Sequence, residues 1–278
     1  MGEALHEKWN ALEKRLRADE RWLIAFSGGC DSTFLLAAAR RLLGKENVLA
    51  VTAVSASLAV QERNATERIA DDLDAPHLFL ETQELENPSY ASNPSNRCYF
   101  CKNELFGRLA PLARERGMSL ADGFNASDRS DFRPGFQASQ EWCVIHPLNE
   151  ANLSKKEIRA LSRWLRLPTW NKPASPCLSS RVPYGTPVTK YILSQIERAE
   201  SVLHAEGFRV ARVRHYGERA RIEVPRAEID RLREAERWKR IVNQMQSVGY
   251  HFIEWEPRGF QSGRLNEQLP YLKIKDVK

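Results

Sequence analysis

Long apolar runs are missing from this chain of 278 residues, and none approaches the roughly 20 residues that cross a bilayer. Residues 1–19 are charged and contain no apolar segment, which predicts that they are not a signal peptide and that the protein is cytoplasmic. The five cysteines, odd in number and unevenly spaced, do not match a secreted disulfide scaffold. The composition, 42% hydrophobic and 28% charged, is that of an ordinary soluble globular protein.

Several familiar site signatures are also missing. The chain has no Gly-Lys-Ser/Thr, which excludes a Walker A loop, and no G-x-G-x-x-G, which excludes the dinucleotide fingerprint. It has one Cys-x-x-C but no second copy and no His pair at zinc spacing, so a complete zinc site cannot be assembled locally. The six histidines show no ligand spacing.

Positive charge is concentrated in the second half of the chain. Residues 151–278 contain 25 Lys plus Arg against 14 Asp plus Glu, whereas residues 1–150 contain 17 against 22. Arginine predominates in the second half, which favours forked recognition of phosphate or carboxylate. A polyanion such as tRNA would also fit, and a solvated basic surface is the alternative that involves no ligand.

The order of apolar runs and turn signals predicts an α/β protein. Strands alternate with helices up to about residue 145, which indicates a doubly wound parallel sheet, with a final strand at 142–145 and a polar loop at 122–137. A proline-rich loop at 168–187 separates this part from a smaller α+β domain, in which one helix is expected at 226–247. We expect domains at 1–185 and 186–278.

A tight loop between the first strand and the next helix is the strongest local signal. In Ser27 to Ser32, the glycines Gly28 and Gly29 allow a sharp turn, and Ser27 and Ser32 supply hydroxyls beside a helix N-terminus. Asp31 would repel phosphate unless Mg²⁺ lies between them. The loop therefore predicts a site for pyrophosphate with its metal; an ordinary turn with an N-capping Asp31 is the alternative.

Three cysteines lie in polar surroundings. Cys98 and Cys101 form a Cys-x-x-C pair at the start of a helix, which suits a redox couple, half a zinc site or two ligands of an iron–sulfur cluster. Cys177 lies among prolines and serines four residues before Arg181, a setting that favours the thiolate. Together they could hold a [4Fe–4S] cluster with one open iron; a thiol–disulfide pair or a purely structural pair are the alternatives.

The remaining two cysteines, Cys30 and Cys143, each interrupt an apolar context. We expect both to be small buried hydrophobes and not ligands.

Ordered motifs along nearly the whole chain resemble one family. Ser27 to Ser32 resembles the PP-loop of ATP pyrophosphatases, and the later motifs resemble the LarE family of that superfamily. These later motifs are Asp122-Gly-Phe-Asn125 with Asp128, Asp131-Phe-Arg-Pro-Gly135, Pro176-Cys-Leu-Ser-Ser-Arg181 with Pro183-Tyr-Gly185, and Gln261-Ser-Gly-Arg-Leu-Asn-Glu267.

The resemblance implies a function. LarE enzymes are ATP-dependent, adenylating and pyrophosphate-releasing sulfur transferases in the synthesis of the nickel-pincer nucleotide. The implied substrate is pyridinium-3,5-dicarboxylate mononucleotide, whose activated carboxylate takes sulfur from a donor such as sulfide. The family also implies a homo-oligomer, a hexamer. The chain resembles a cluster-dependent branch of the family through Cys98, Cys101 and Cys177. If no cluster is bound, the resemblance implies that Cys177 gives up its own sulfur and that the enzyme turns over once.

Two groups of residues complete the expected site. Ser55, Gly123, Asn125 and Asp128 are expected in the ATP cleft, because ligands bind beyond the carboxyl ends of strands. A second group resembles the family's pocket for the substrate phosphate, and Arg212 and Arg214 alternate along one strand and so share a face. The members of this second group are Ser180, Arg181, Glu200, Arg212 and Arg214.

Two rival functions share some of these features. A tRNA 2-thiolation enzyme would also have the loop, three cysteines and a basic surface, but the chain lacks an evident RNA-binding module, so nucleic acid is not the expected partner. A non-enzymatic iron–sulfur or redox carrier would not need an ATP loop.

Overall fold

The structure is a computed structural model that describes residues 2–130, 134–261 and 264–265. Positions 131–133 of the motif at 131–135, and positions 262, 263, 266 and 267 of the motif at 261–267, lie outside the described residues. Of the helices described, none combines the length and the apolar character that a membrane span requires.

The described elements follow one another in the order that the sequence predicts, with exceptions given below. The helices are α1 (Glu3–Arg17), α2 (Cys30–Leu43), α3 (Val60–Asp72), α4 (Pro88–Ala91), α5 (Arg97–Glu115), α6 (Gly135–Glu141), α7 (Pro147–Glu150), α8 (Lys155–Trp164), α9 (Lys190–Ala205), α10 (Ile229–Leu232) and α11 (Ala235–Val248). The strands are β1 (Trp22–Ala25), β2 (Val48–Val54), β3 (His77–Glu81), β4 (Ser119–Ala121), β5 (Arg212–Tyr216), β6 (Arg219–Glu223) and β7 (Phe252–Trp255).

The chain forms two compact units. Unit 1 comprises residues 1–84 and 96–175, and unit 2 comprises residues 85–95 and 176–278. The chain therefore leaves unit 1 after residue 84 and returns to it at residue 96. Segment 85–95 belongs to unit 2, although it is distant in sequence from the rest of that unit. The predicted domains at 1–185 and 186–278 are a statement about which parts of the chain fold on their own, and this division stays a prediction.

Unit 1 is built on a four-stranded parallel sheet in the order β3-β2-β1-β4. Successive side chains of β1 point to opposite faces: Trp22 and Ile24 join a core with α1 and α2, whereas Leu23 joins a core with α5. Both faces of the sheet are thus covered by helices at β1, which explains why this strand is apolar throughout. The predicted α/β fold with a parallel PP-loop sheet is confirmed.

Unit 2 contains a three-stranded sheet in the order β5-β6-β7, in which β5 and β6 are antiparallel and β6 and β7 are parallel. Its core includes Leu203 from α9, Val213 from β5 and Met245 from α11. Segment 85–95 is held to this unit by Asn93, whose Nδ2 donates to the carbonyl oxygens of Pro183 at 2.7 Å and Thr186 at 2.8 Å.

Three secondary-structure predictions are wrong in detail. The strand expected at 142–145 is reduced to one parallel bridge between Ile145 and Ala121, because Cys143 has a φ of +53° that a strand does not accept. The polar loop expected at 122–137 contains the start of α6. The single helix expected at 226–247 is interrupted at Glu234, whose ψ of 124° is extended.

Candidate active site

The loop after β1 has the geometry of an anion cradle. Gly28 has a φ of +64°, and a Cβ placed on it would lie 2.8 Å from Thr66 Cγ2, so only glycine fits without a shift. The backbone N–H of Ser27 donates to Ser32 Oγ at 3.3 Å, and the two serine hydroxyls lie 3.1 Å apart. Because α2 begins at Cys30, the N–H groups of its first turn lack helical partners and are available to an anion.

Asp31 lies in the first turn of α2 and is paired through one carboxylate oxygen only. Its Oδ2 accepts a hydrogen bond from Lys155 Nζ at the start of α8, whereas Oδ1 is buried with no hydrogen-bond partner. A buried carboxylate oxygen without a partner is costly unless a cation or donor reaches it. A hard cation such as Mg²⁺ prefers this type of oxygen, so Asp31 fits the magnesium ligand that the sequence predicts.

Of the predicted cleft residues, Gly123 lies directly beside this loop, and Asn125 and Asp128 follow it along the chain. A Cβ on Gly123 would lie 2.9 Å from the backbone nitrogen of Ser32, so the strand end after β4 packs closely against the start of α2. Asn125 is completely buried, its Oδ1 accepts from Ser127 N at 3.0 Å, and its Nδ2 has no hydrogen-bond partner. Its backbone N–H donates to Asp128 Oδ2 at 3.1 Å.

Ser55, the fourth predicted cleft residue, follows the carboxyl end of β2. Its hydroxyl donates to Glu84 Oε1 and lies 2.8 Å from the hydroxyl of Ser57. The structure therefore engages Ser55 in a local network with Glu84, and its contact with ATP stays a prediction.

A buried polar chain supports the end of β4. Asp122 Oδ1 is 2.8 Å from His146 Nδ1, and His146 Nε2 is 3.1 Å from Ser139 Oγ. Lys102 Nζ, on α5, donates to Asp122 Oδ2 at 3.2 Å. Burial by itself raises the pKa of Asp122, but the positive charge of Lys102 and the bond to His146 lower that pKa well below the usual range. Asp122 is thus an anion, and its contacts with Lys102 and His146 fix the backbone just before Gly123.

Cys98 and Cys101 lie three residues apart near the start of α5 and therefore on the same side of that helix. Cys98 is exposed and Cys101 is half-buried. Among residues 2–130, 134–261 and 264–265, no three His, Cys, Asp or Glu side chains are grouped closely enough to hold a metal ion.

The other two cysteines differ from each other. Cys30 is buried, its Sγ is 3.8 Å from Ser162 Oγ, and burial raises the pKa of its thiol, as expected of a small core residue. Cys143 is exposed, so the prediction that it is a buried hydrophobe is wrong. Its left-handed backbone places it at the turn after α6 instead of in a core strand.

In unit 2, Arg181 organises the loop that contains Cys177. Its Nε and Nη2 each donate to one carboxylate oxygen of Glu200 at 2.9 Å, and Nη1 donates to the carbonyl oxygens of Pro176 at 2.5 Å and Cys177 at 3.0 Å. Both charged side chains are buried. Glu200 Oε1 also accepts the backbone N–H of Val213 at 2.9 Å, which ties the pair to β5.

The two predicted strand arginines lie next to this pair. Arg214 Nη1 donates to the carbonyl oxygen of Ser180 at 2.7 Å, and Nη2 donates to Glu223 Oε2 at 2.9 Å, while its buried Nε has no hydrogen-bond partner. Arg212 Nη1 donates to Ala211 O at 2.8 Å, and its guanidinium lies 5.4 Å from the ring centroid of Phe260. The structure thus connects Ser180, Arg181, Glu200 and Arg214 through hydrogen bonds and β5, and Arg212 lies two residues before Arg214 on the same strand.

Comparison with known proteins bears on this site. A family model described as asparagine synthase matches residues 9–91, which include the loop. An uncharacterized protein of Synechocystis is 42% identical over 251 residues, covering 90% of this chain and 93% of its own. The pyridinium-3,5-bisthiocarboxylic acid mononucleotide synthase of Lactiplantibacillus plantarum is 36% identical over 266 residues, covering 95% of this chain and 96% of its own.

The chain belongs to the LarE family. Like that family, it is an ATP-dependent sulfur transferase of the PP-loop class.

The structure adds site residues that the sequence analysis of this LarE member missed. Lys155 and Lys172 both reach the PP-loop: Lys155 pairs with Asp31, and Lys172 Nζ donates to the carbonyl oxygen of Gly28 at 3.1 Å. Glu223, completely buried, holds Arg214. The capping box at Ser154 located the start of α8, but only the fold shows that this helix end faces α2.

Proposed function

We propose that this enzyme converts pyridinium-3,5-dicarboxylate mononucleotide to a thiocarboxylate in the synthesis of the nickel-pincer nucleotide. The observation that carries the proposal is the PP-loop with its half-paired Asp31, joined to 36% identity with a pyridinium-3,5-bisthiocarboxylic acid mononucleotide synthase over 95% of the chain.

The first step is adenylation of a substrate carboxylate. A carboxylate oxygen attacks the α-phosphorus of ATP, the bond between the α-phosphorus and the bridging oxygen to the β-phosphorus breaks, and pyrophosphate leaves. Loop N–H groups and the hydroxyls of Ser27 and Ser32 hold the phosphates, and Lys155 supplies a cation beside Asp31. Asp31 holds Mg²⁺, which when bound neutralises charge on the phosphates. Ser55, Gly123, Asn125 and Asp128 complete the cleft.

The second step replaces AMP by sulfur. A sulfur nucleophile attacks the acyl carbon, the bond from that carbon to the adenylate oxygen breaks, and AMP leaves with the electron pair. Cys177 is the residue at which this sulfur is delivered, and the hydrogen bonds from Arg181 to the carbonyl oxygens of Pro176 and Cys177 orient its loop. The attacking nucleophile is external hydrosulfide, so no bond of Cys177 has to break, and the thiolate is the form of Cys177 that binds iron.

The basic network of unit 2 is proposed to bind the substrate phosphate. Arg212 and Arg214 supply the cations, since the Nε of Arg214 is buried and unpaired, and Ser180 supplies a hydroxyl. Arg181 and Glu200 hold the surrounding loop and strand.

The thiolates of Cys98, Cys101 and Cys177 are proposed to hold a [4Fe–4S] cluster. Cys98 and Cys101 share one side of α5 and thiolates are the ligands that such clusters require, which supports the assignment. When bound, a cluster with three protein ligands supplies an iron position for external sulfide. A cytoplasmic location and assembly into a hexamer are further proposals that rest on the family.

The central experiment measures pyrophosphate release by the purified protein with Mg-ATP and the dicarboxylated pyridine nucleotide. We expect pyrophosphate release to depend on this nucleotide. Asp31→Asn should abolish the release, and Asp128→Asn should retain part of it. Salt-sensitive tRNA binding without any response to the small nucleotide would favour a tRNA-thiolating enzyme and reject the proposal.

The cluster has its own experiment. After anaerobic purification, iron and acid-labile sulfide should each approach about four per chain, as a [4Fe–4S] cluster requires. Both should fall together in Cys98→Ala, Cys101→Ala and Cys177→Ala, and the exposed Cys143→Ala is the matched control. Absence of iron, with dehydroalanine at position 177 after turnover, would show that Cys177 donates its own sulfur once.

A further inference from the structure

Glu62, on α3, makes two contacts that none of the preceding functional assignments uses. Its Oε2 accepts a hydrogen bond from Lys172 Nζ at 2.7 Å, and its Oε1 accepts one from Ser175 Oγ at 2.8 Å. Both carboxylate oxygens are therefore engaged by one short stretch of chain. All three residues belong to unit 1, and Ser175 is its last residue.

The stretch that Glu62 holds has no regular secondary structure. Residues 172–177 form neither helix nor strand, so no ladder of backbone hydrogen bonds fixes their position. Side chains supply the anchors instead: on α8, Arg159 donates to the carbonyl oxygens of Trp170 at 2.8 Å and Lys172 at 2.9 Å. Glu62 holds Ser175, two residues before Cys177, whereas Arg181 holds the carbonyl oxygens of Pro176 and Cys177.

The same contacts reach the PP-loop. Lys172 Nζ donates both to Glu62 and to the carbonyl oxygen of Gly28 at 3.1 Å. Glu62, Lys172 and Gly28 thus form one connected set, and Ser175 is joined to it through the second oxygen of Glu62. The end of unit 1 is fastened to the loop that binds ATP.

Chain connectivity makes this anchor relevant to sulfur. Cys177 follows Ser175 by two residues, and two residues span at most about 7 Å. Whatever holds Ser175 therefore limits where the thiol of Cys177 can be found. For attack on an adenylate, the reacting atoms must come within about 3–3.5 Å, and an error of about 1 Å can cost about 100-fold in rate.

We propose that Glu62 is a positioning residue that couples ATP activation to sulfur delivery, by holding Ser175, two residues before Cys177, in one hydrogen-bonded set with Gly28 of the PP-loop. The inference rests on the proposed function, in which Cys177 delivers the sulfur. Its consequence is selective: adenylation needs the PP-loop and its cations, whereas sulfur transfer also needs Cys177 in place. When sulfur arrives late, water attacks the acyl carbon, which regenerates the carboxylate and releases AMP.

The experiment measures two products in the same reaction. Wild-type protein, Glu62→Ala and Glu62→Gln are incubated anaerobically with Mg-ATP, the dicarboxylated pyridine nucleotide and sodium sulfide, and pyrophosphate and thiocarboxylate are quantified. Glu67→Gln is the matched control, because Glu67 is an exposed carboxylate on the same helix. Thermal unfolding of each variant reports whether it folds.

We expect Glu62→Ala to release pyrophosphate within about twofold of wild type while thiocarboxylate formed per pyrophosphate falls about tenfold. Glu67→Gln should keep the wild-type ratio. An unchanged ratio in Glu62→Ala would overturn the inference, as would an equal loss of both products, which would place Glu62 in ATP binding. If Glu62→Ala does not fold, the nearly isosteric Glu62→Gln is judged by the same ratio. Failure of the proposed function is seen separately, as absence of pyrophosphate release in wild-type protein.

Discussion

Arg181 and Glu200 form a buried two-point ion pair, in which Nε and Nη2 of the guanidinium each donate to a separate carboxylate oxygen at 2.9 Å. The remaining nitrogen, Nη1, donates to the carbonyl oxygen of Cys177 at 3.0 Å. Most donors of Arg181 are therefore committed to protein groups, and within the predicted phosphate pocket this residue acts on the cysteine loop. Lysine carries the same charge but cannot reproduce the planar fork.

We predict that Arg181→Lys lowers the rate of sulfur transfer by about 10- to 100-fold, because the cysteine loop loses the hydrogen bonds that Arg181 donates to the carbonyl oxygens of Pro176 and Cys177. The measurement is thiocarboxylate formed per unit time at saturating substrates. Arg198→Lys, an exposed arginine on the same helix as Glu200, is the control and should keep its activity. Equal rates for both variants would show that the fork is not needed.

We predict that Gly28→Ala loses ATP binding and costs about 2–4 kcal/mol of unfolding free energy, from left-handed strain and a forced contact. The added Cβ would lie 2.8 Å from Thr66 Cγ2. Gly117→Ala separates the two causes, since Gly117 also has a positive φ, +60°, but no atom within 4 Å of the added carbon. Urea titration and calorimetry with Mg-ATP give both quantities. Equal destabilisation of the two variants would contradict the packing argument.

We predict that Lys155→Ala raises the Kd for Mg-ATP about 10- to 100-fold, the value of one hydrogen bond to a charged group. Lys155 pairs with Asp31 through Oδ2, so it lies beside the residue proposed to hold Mg²⁺ next to the phosphates. Lys156→Ala is the control, because the neighbouring Lys156 is exposed. Isothermal titration calorimetry checks the difference, and an unchanged Kd in Lys155→Ala would rule out a phosphate contact.

Acid stability depends on Asp122. Because the folded protein holds the pKa of Asp122 below its usual value, the ionised carboxylate stabilises the fold above the unfolded pKa of about 4, and this contribution is lost as the pH falls. We predict that wild-type protein loses about 1 kcal/mol more unfolding free energy than Asp122→Asn between about pH 5 and about pH 3. Urea titrations across this range provide the check. Parallel losses in the two proteins would refute the assignment.

The sequence determined those features whose signal is local. The apolar runs and glycines around Ser27 to Ser32 predicted strand, loop and helix, and the motif order identified the family. The capping box at Ser154 and Glu157 is confirmed with both of its hydrogen bonds. Local chemistry was misleading at Cys143, where apolar neighbours indicated a buried strand and the backbone turns instead at a φ of +53°.

Tertiary structure alone decided which distant residues meet. Lys155 reaches Asp31 across 124 positions and Glu62 reaches Ser175 across 113, and no periodicity in a single sequence encodes such pairs. Segment 85–95 likewise joins unit 2 because Asn93 satisfies carbonyl groups about 90 residues away. The sequence by itself indicated ATP-dependent sulfur transfer, because the glycine-rich loop at Ser27 to Ser32 and the later motifs resemble the LarE family in their order along the chain. Which cations face the phosphates, and what holds the cysteine loop, depended on packing between elements that are far apart in the chain.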